Sequence, residues 1–128
     1  MTKFGKTIIP FEYRPEPHEL DTAKFFNKLG KDVEFLTPSR TKGMRNPDIK
    51  MNGVLWEIKA PQNNGKHTIE HIFRKALKQS KNIIFDLRRT QMSNDKSISQ
   101  ITRQFTLIKD VKRLLIISKS NKLLDLKK

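Results

Sequence analysis

The chain has 128 residues, with 27 Lys and Arg against 13 Asp and Glu, for a formal net charge of +14. Cysteine is absent, which excludes a disulfide scaffold, thiolate zinc sites and a cysteine nucleophile. The longest apolar run, Leu114-Leu115-Ile116-Ile117, falls far short of the ~20 residues of a membrane span, and 35% hydrophobic with 31% charged residues suits a soluble globular fold.

The length suits one domain over residues 1–128, with residues 1–17 as an extended lead-in and 18–128 as an α/β core. The lead-in holds Pro10, Pro15 and Pro17 and lacks the basic-then-apolar pattern of a secretory signal. Pro17 suits a helix start, Leu20, Ala23, Phe26 and Leu29 give its apolar stripe, and Gly30 stops it. A short strand is expected over 32–36, then a basic loop over 38–45. Asn52-Gly53 is a strong hairpin signal, because both residues tolerate the positive φ of a type I′ turn, so 48–51 and 54–59 become paired strands. A loop covers 62–67, and a helix over 68–80 carries Ile69, Ile72, Phe73 and Leu77 on one face. A buried-type strand follows over 82–87. Ser97 and Gln100 suggest a capping box for a helix bearing Ile101, Phe105 and Ile108. Strands over 113–118 and 123–126 flank a Lys-Ser-Asn-Lys turn. The order predicts a mixed α/β fold.

Charge is uneven. Residues 1–64 hold 11 basic and 8 acidic side chains, whereas 65–128 hold 16 and 5. A basic half beside a nearly balanced one points to a polyanionic partner, most simply nucleic acid. The hairpin register sets Asp48 opposite Glu57, with Cβ atoms about 4.5–5.5 Å apart, and alternation puts Lys59 on the same face while Trp56 and Ile58 pack on the other. Opposed carboxylates repel. Lys59 offsets part of this, and a divalent ion suited to oxygen donors, Mg²⁺ or Mn²⁺, would offset the rest. Such an ion beside an amine suits phosphodiester hydrolysis. A surface ion-pair cluster is the plainer reading of the same residues.

Pro47-Asp48 followed by Glu57-Ile58-Lys59 resembles the PD-(D/E)xK nuclease motif, and Glu19 matches the acidic residue many members carry on the preceding helix. The resemblance extends over His18-Glu19-Leu20, Asp32-Val33-Glu34, Trp56, Lys75-Ala76, Gln79-Ser80 and Asn82 to Asp86. This ordered set, covering roughly residues 11–118, is similar to the tRNA-nuclease C-terminal toxin domains of contact-dependent growth inhibition systems. The resemblance implies a restriction-endonuclease-like mixed sheet flanked by helices. It makes Asp48 and Glu57 metal ligands, Glu19 a third member of the acidic cluster, and Lys59 the catalytic lysine. It matches Thr68 to a hydroxyl residue near the site in some toxins, and Gln79 to a glutamine on the helix after the motif. It implies tRNA as substrate, action in the cytoplasm and a cognate immunity or inhibitor protein. Homodimerisation is left open, as is delivery into another cell, since the 128 residues hold no adhesin region.

Arg74, Lys75 and Lys78 form a basic stripe on the second helix, and Arg88-Arg89 ends the next strand; both are expected to contact phosphate. His71 beside the stripe suits metal-free RNA cleavage as a general acid or base. His67 and His71 lack the H-E-x-x-H arrangement of a zinc site. Because the residues themselves do not distinguish tRNA from DNA, a DNA endonuclease stays open, as does a non-catalytic basic nucleic-acid-binding module.

Overall fold

A computed structural model describes residues 3–62 and 69–128, together with the backbone but not the side chain of Thr68. In chain order the elements are β1 (Thr7–Ile8), α1 (Pro17–Lys28), β2 (Val33–Phe35), β3 (Ile49–Met51), β4 (Val54–Lys59), α2 (Thr68–Leu77), β5 (Asn82–Asp86), α3 (Asn94–Leu107), β6 (Arg113–Ile117) and β7 (Leu123–Lys127). The strands lie side by side in chain order in one seven-stranded sheet. β1–β2, β4–β5 and β5–β6 pair in parallel; β2–β3, β3–β4 and β6–β7 pair antiparallel. The sheet is therefore mixed, as the sequence order requires. Among the described residues no helix is long and apolar enough to cross a membrane.

Helices cover both faces. Ala23 and Phe26 of α1 pack with Val33, Phe35, Ile49, Trp56 and Ile58 on one side. Ile69, Phe73 and Ala76 of α2 and Ile101 and Phe105 of α3 pack with Ile83, Phe85, Leu114 and Ile116 on the other. Alternation along β5 and β6 divides Ile84 and Leu115 from Ile83 and Leu114, so the middles of these parallel strands are apolar on both faces. A fully buried Phe26 or Phe73 contributes about 1.5–3 kcal/mol.

The β3–β4 turn has φ of 53° at Asn52 and 76° at Gly53, the left-handed backbone the sequence implied. Its register is Ile49↔Trp56, Lys50↔Leu55 and Met51↔Val54, as expected. Three local expectations need correction. The lead-in contains β1, two residues paired with β2, because a parallel neighbour supplies bonds that local pattern does not show. The second helix ends at Leu77; Lys78 and Gln79 then close tight turns onto Lys75 and Ala76. The third helix is capped by Ser93, whose hydroxyl accepts from the Lys96 amide at 3.3 Å, and not by Ser97, which is buried and donates to the Ser93 carbonyl.

Candidate active site

The hairpin brings Asp48, Glu57 and Lys59 together. Asp48 lies just before β3; its amide donates to the Trp56 carbonyl at 2.9 Å, and its Oδ2 accepts from the Ile58 amide at 2.8 Å. These bonds fix its carboxylate against β4. Glu57 pairs with Ile83 of β5, so it points toward the side covered by α2, and it is only 5% exposed. Lys59 Nζ stands 3.3 Å from Glu57 Oε2, with 29% of its own side chain open to solvent. Glu57 Oε1 is buried without a hydrogen-bond donor. Burial first, then the facing Asp48 carboxylate, push the Glu57 carboxyl up to about 8, against the pull of Lys59.

Two carboxylates facing each other are acceptor against acceptor, so either a proton or a cation must lie between them. The donor set is all oxygen, which suits a hard divalent ion. Among the described residues no three His, Cys, Asp or Glu side chains form a ligand cluster. Mg²⁺ is commonly held by one or two carboxylates with water completing its shell. The Asp48–Glu57 pair, with its donorless buried oxygen, fits such an ion.

Glu19 is placed by the start of α1. Its Oε1 accepts from the Glu16 amide at 2.9 Å and the Tyr13 hydroxyl at 3.2 Å, closing a capping box with Glu16. Burial first and the Asp48 charge next raise its pKa, while the Glu16 amide and Tyr13 pull against them. Glu19 thus acts on Asp48 through charge, with one carboxylate oxygen committed to the cap. Tyr13, which sequence reading did not single out, has its own pKa raised by burial and by the charges of Glu19 and Asp48. It packs on Phe35 at 6.2 Å. An isolated tyrosine in a proline-rich lead-in gives no pattern that would reveal this.

The remaining candidates divide. Gln79 Oε1 accepts from the Asn46 amide at 2.7 Å, tying the segment before Asp48 to the end of α2. His71, Arg74 and Lys75 are exposed on α2 and Lys78 is exposed in the turn just after it, while Arg74 pairs with Glu70 at 2.7 Å. The Thr68 side chain and His67 lie outside the described residues. Arg88 is bonded to Asp86 through Nε at 2.9 Å and Nη2 at 2.7 Å, and Thr22 donates to the same carboxylate at 2.6 Å. Burial pushes the Asp86 carboxyl up, but the bonds from Arg88 and Thr22 outweigh it and hold the group below its ordinary value. Arg88 is therefore a matched charge, whereas Arg89 is exposed and uses only Nε, toward the Ala60 carbonyl at 2.7 Å.

A search of curated proteins finds no significant match. Among solved structures, a chain of the CdiA-CT/CdiI toxin and immunity complex from Burkholderia pseudomallei is similar, with 18% identity and a TM-score of 0.71. The match covers 97% of this chain and 100% of that one. At this identity the likeness speaks for the fold. A profile of the contact-dependent growth inhibition CdiA C-terminal domain matches residues 45–123, a span that takes in Asp48, Glu57, Lys59 and every strand from β3 to β6. The chain belongs to the family of contact-dependent growth inhibition CdiA C-terminal domains.

Proposed function

We propose that this chain is a metal-dependent nuclease toxin of the PD-(D/E)xK kind, hydrolysing phosphodiester bonds in RNA, with tRNA as its preferred substrate. The observation that carries the reading is the Asp48–Glu57 pair: a buried carboxyl pushed up to about 8, with one oxygen lacking any donor, and an ammonium 3.3 Å from the other. Such an arrangement is costly as packing and useful as a site. Asp48 and Glu57 would hold Mg²⁺ or Mn²⁺, with Glu19 adding charge beside Asp48. When bound, the ion lowers the pKa of a water and stabilises charge on the phosphate in the transition state.

The protein's own groups set the geometry. Two backbone-linked bonds hold Asp48, and Lys59 is both anchored by Glu57 and open to solvent. Lys59 can donate to an attacking water or to a phosphate oxygen, orienting one or offsetting charge on the other. Choosing tRNA over DNA rests on the resemblance to toxin nucleases, and family membership adds to it. The structural neighbour is a toxin and immunity complex, which supports a cognate immunity protein as partner of this chain too. The site of action would be the cytoplasm of a target cell.

The test is incubation of purified protein with total tRNA and with plasmid DNA, each with Mg²⁺ or Mn²⁺ and with EDTA. Discrete tRNA fragments that vanish with EDTA support the proposal. Cut DNA beside intact tRNA would make it a DNA endonuclease. Cleavage that survives EDTA would move the chemistry to His71, and binding without cleavage would leave a basic nucleic-acid-binding module.

A further inference from the structure

Beside α1 lies a groove of about 640 Å³, on the face opposite Glu57 and Lys59. Its volume falls within the range of sites that enclose a small organic unit such as a nucleotide. Phe25 and Leu29 give it apolar lining, and Lys24 and Lys28 line it too, with Asp21 the one exposed acid among the lining residues. Both lysines are exposed, and neither forms an ion pair among the described residues. They are four residues apart on one helix, about 6 Å along its axis, which suits successive phosphates of one strand.

The Arg88 part of the lining is pre-set. The Arg88 guanidinium is held by Asp86, donates to the Asp21 carbonyl at 3.0 Å and lies over the Phe25 ring at 5.4 Å. With 27% of its side chain exposed, it presents a fixed plane rather than a mobile charge. Bases of single-stranded nucleic acid stack on such planes, whether aromatic or guanidinium. The groove also adjoins the carboxylate site at two points. His18 lines it and precedes Glu19; Ala60 lines it and follows Lys59, with Arg89 clamped onto the Ala60 carbonyl.

We propose that this groove binds the single-stranded segment flanking the scissile phosphate. One base would lie against the Arg88–Phe25 stack, and the adjoining phosphates would meet Lys24, Lys28 and Arg89. The inference rests on the nuclease reading for its scissile phosphate, but binding tests it separately. Labelled tRNA is titrated with protein in EDTA, so that no metal-dependent cleavage occurs, and affinity is followed by fluorescence anisotropy over a range of salt. The Lys24→Glu/Lys28→Glu variant is compared with Lys109→Glu/Lys112→Glu, which makes the same charge change at exposed positions between α3 and β6.

The groove variant should bind at least tenfold more weakly and lose about 1.4 from the slope of log affinity against log salt, at about 0.7 per single-strand phosphate contact. The control should stay within about threefold. Unlabelled single-stranded RNA should displace the labelled tRNA from the wild type, and ATP at the same nucleotide concentration should not. Equal losses in both variants, no loss in the groove variant, or equal displacement by ATP would each overturn the proposal. Binding that follows the expected pattern in a protein that never cleaves would keep the groove and remove the nuclease.

Discussion

Replacing Glu57 with Gln keeps the shape of the side chain and removes the charge that faces Asp48. In EDTA, with no divalent ion to compete, the stability of the two proteins should separate as pH rises. The folded wild type retains a proton on this carboxyl up to about pH 8, where an unfolded chain has already released it near 4.5. Between those values the folded state holds more protons than the unfolded one, so wild-type stability falls as pH rises and levels off above 8. The groups facing Glu57 are Asp48, which raises its pKa, and Lys59, which opposes the rise. At about 1.4 kcal/mol per pH unit, the fall between pH 5.5 and 9 is at most about 3 kcal/mol. It comes to about 2 kcal/mol once water entering the partly open site is allowed to weaken the desolvation and the Asp48 repulsion. The Gln variant has no such titration, and its amide can donate to Asp48. In a chain of this size the gap in Tm should widen by roughly 5–10 °C over that range, read by circular dichroism melts. A gap that does not change with pH, or a Gln variant less stable than wild type at pH 9, would refute the account of the Asp48–Glu57 pair.

Asp86→Ala should destabilise by about 2–3 kcal/mol in urea melts at neutral pH, since it strands the half-buried Arg88 and leaves Thr22 only its longer bond to the His18 carbonyl. Because the Asp86 carboxyl sits below its ordinary value, its contribution is present at neutral pH and is lost as pH falls through the acid range below 3.8, so the two proteins should converge there. Gln79→Ala should lower tRNA cleavage by roughly tenfold with a Tm change under 3 °C, because it releases the Asn46 amide and frees the segment before Asp48. Gly5→Ala should cost more stability than Gly53→Ala, at about 1 kcal/mol. A Cβ at Gly5 would collide with the Lys31 carbonyl, whereas one at Gly53 meets open space and only backbone strain; thermal melts of both variants decide it.

The hairpin was legible in the sequence because its information is local. Asn52-Gly53 sets the turn, and the turn sets the register from Met51↔Val54 to Ile49↔Trp56; Asp48 comes beside Glu57 just past that ladder, with its amide on the Trp56 carbonyl. The helices were legible for a similar reason, as their apolar periods match the cores they enter. Burial of the charged face was not legible. Asp48 and Glu57 read as one polar side of a strand pair, yet Glu57 lies on the side where α2 packs and is only 5% exposed. Arg88 read as a free cation because Asp86 looked like the end of an apolar strand, and Thr22, 64 residues away, completes the network. Glu19 read correctly as an acid near a helix start. Its bond to Tyr13 depends on how the lead-in folds back over α1, which no periodic pattern encodes.

The most direct test of the central claim compares single-turnover tRNA cleavage by wild type, Glu57→Gln and Lys59→Ala in Mg²⁺, with a parallel EDTA series. The wild type should cleave only with the metal. Both variants should lose at least 100-fold in rate, on the order of 3 kcal/mol of transition-state stabilisation, while remaining folded by circular dichroism. Wild-type rates in a folded Glu57→Gln protein, or cleavage unaffected by EDTA, would place the chemistry away from the Asp48–Glu57–Lys59 cluster.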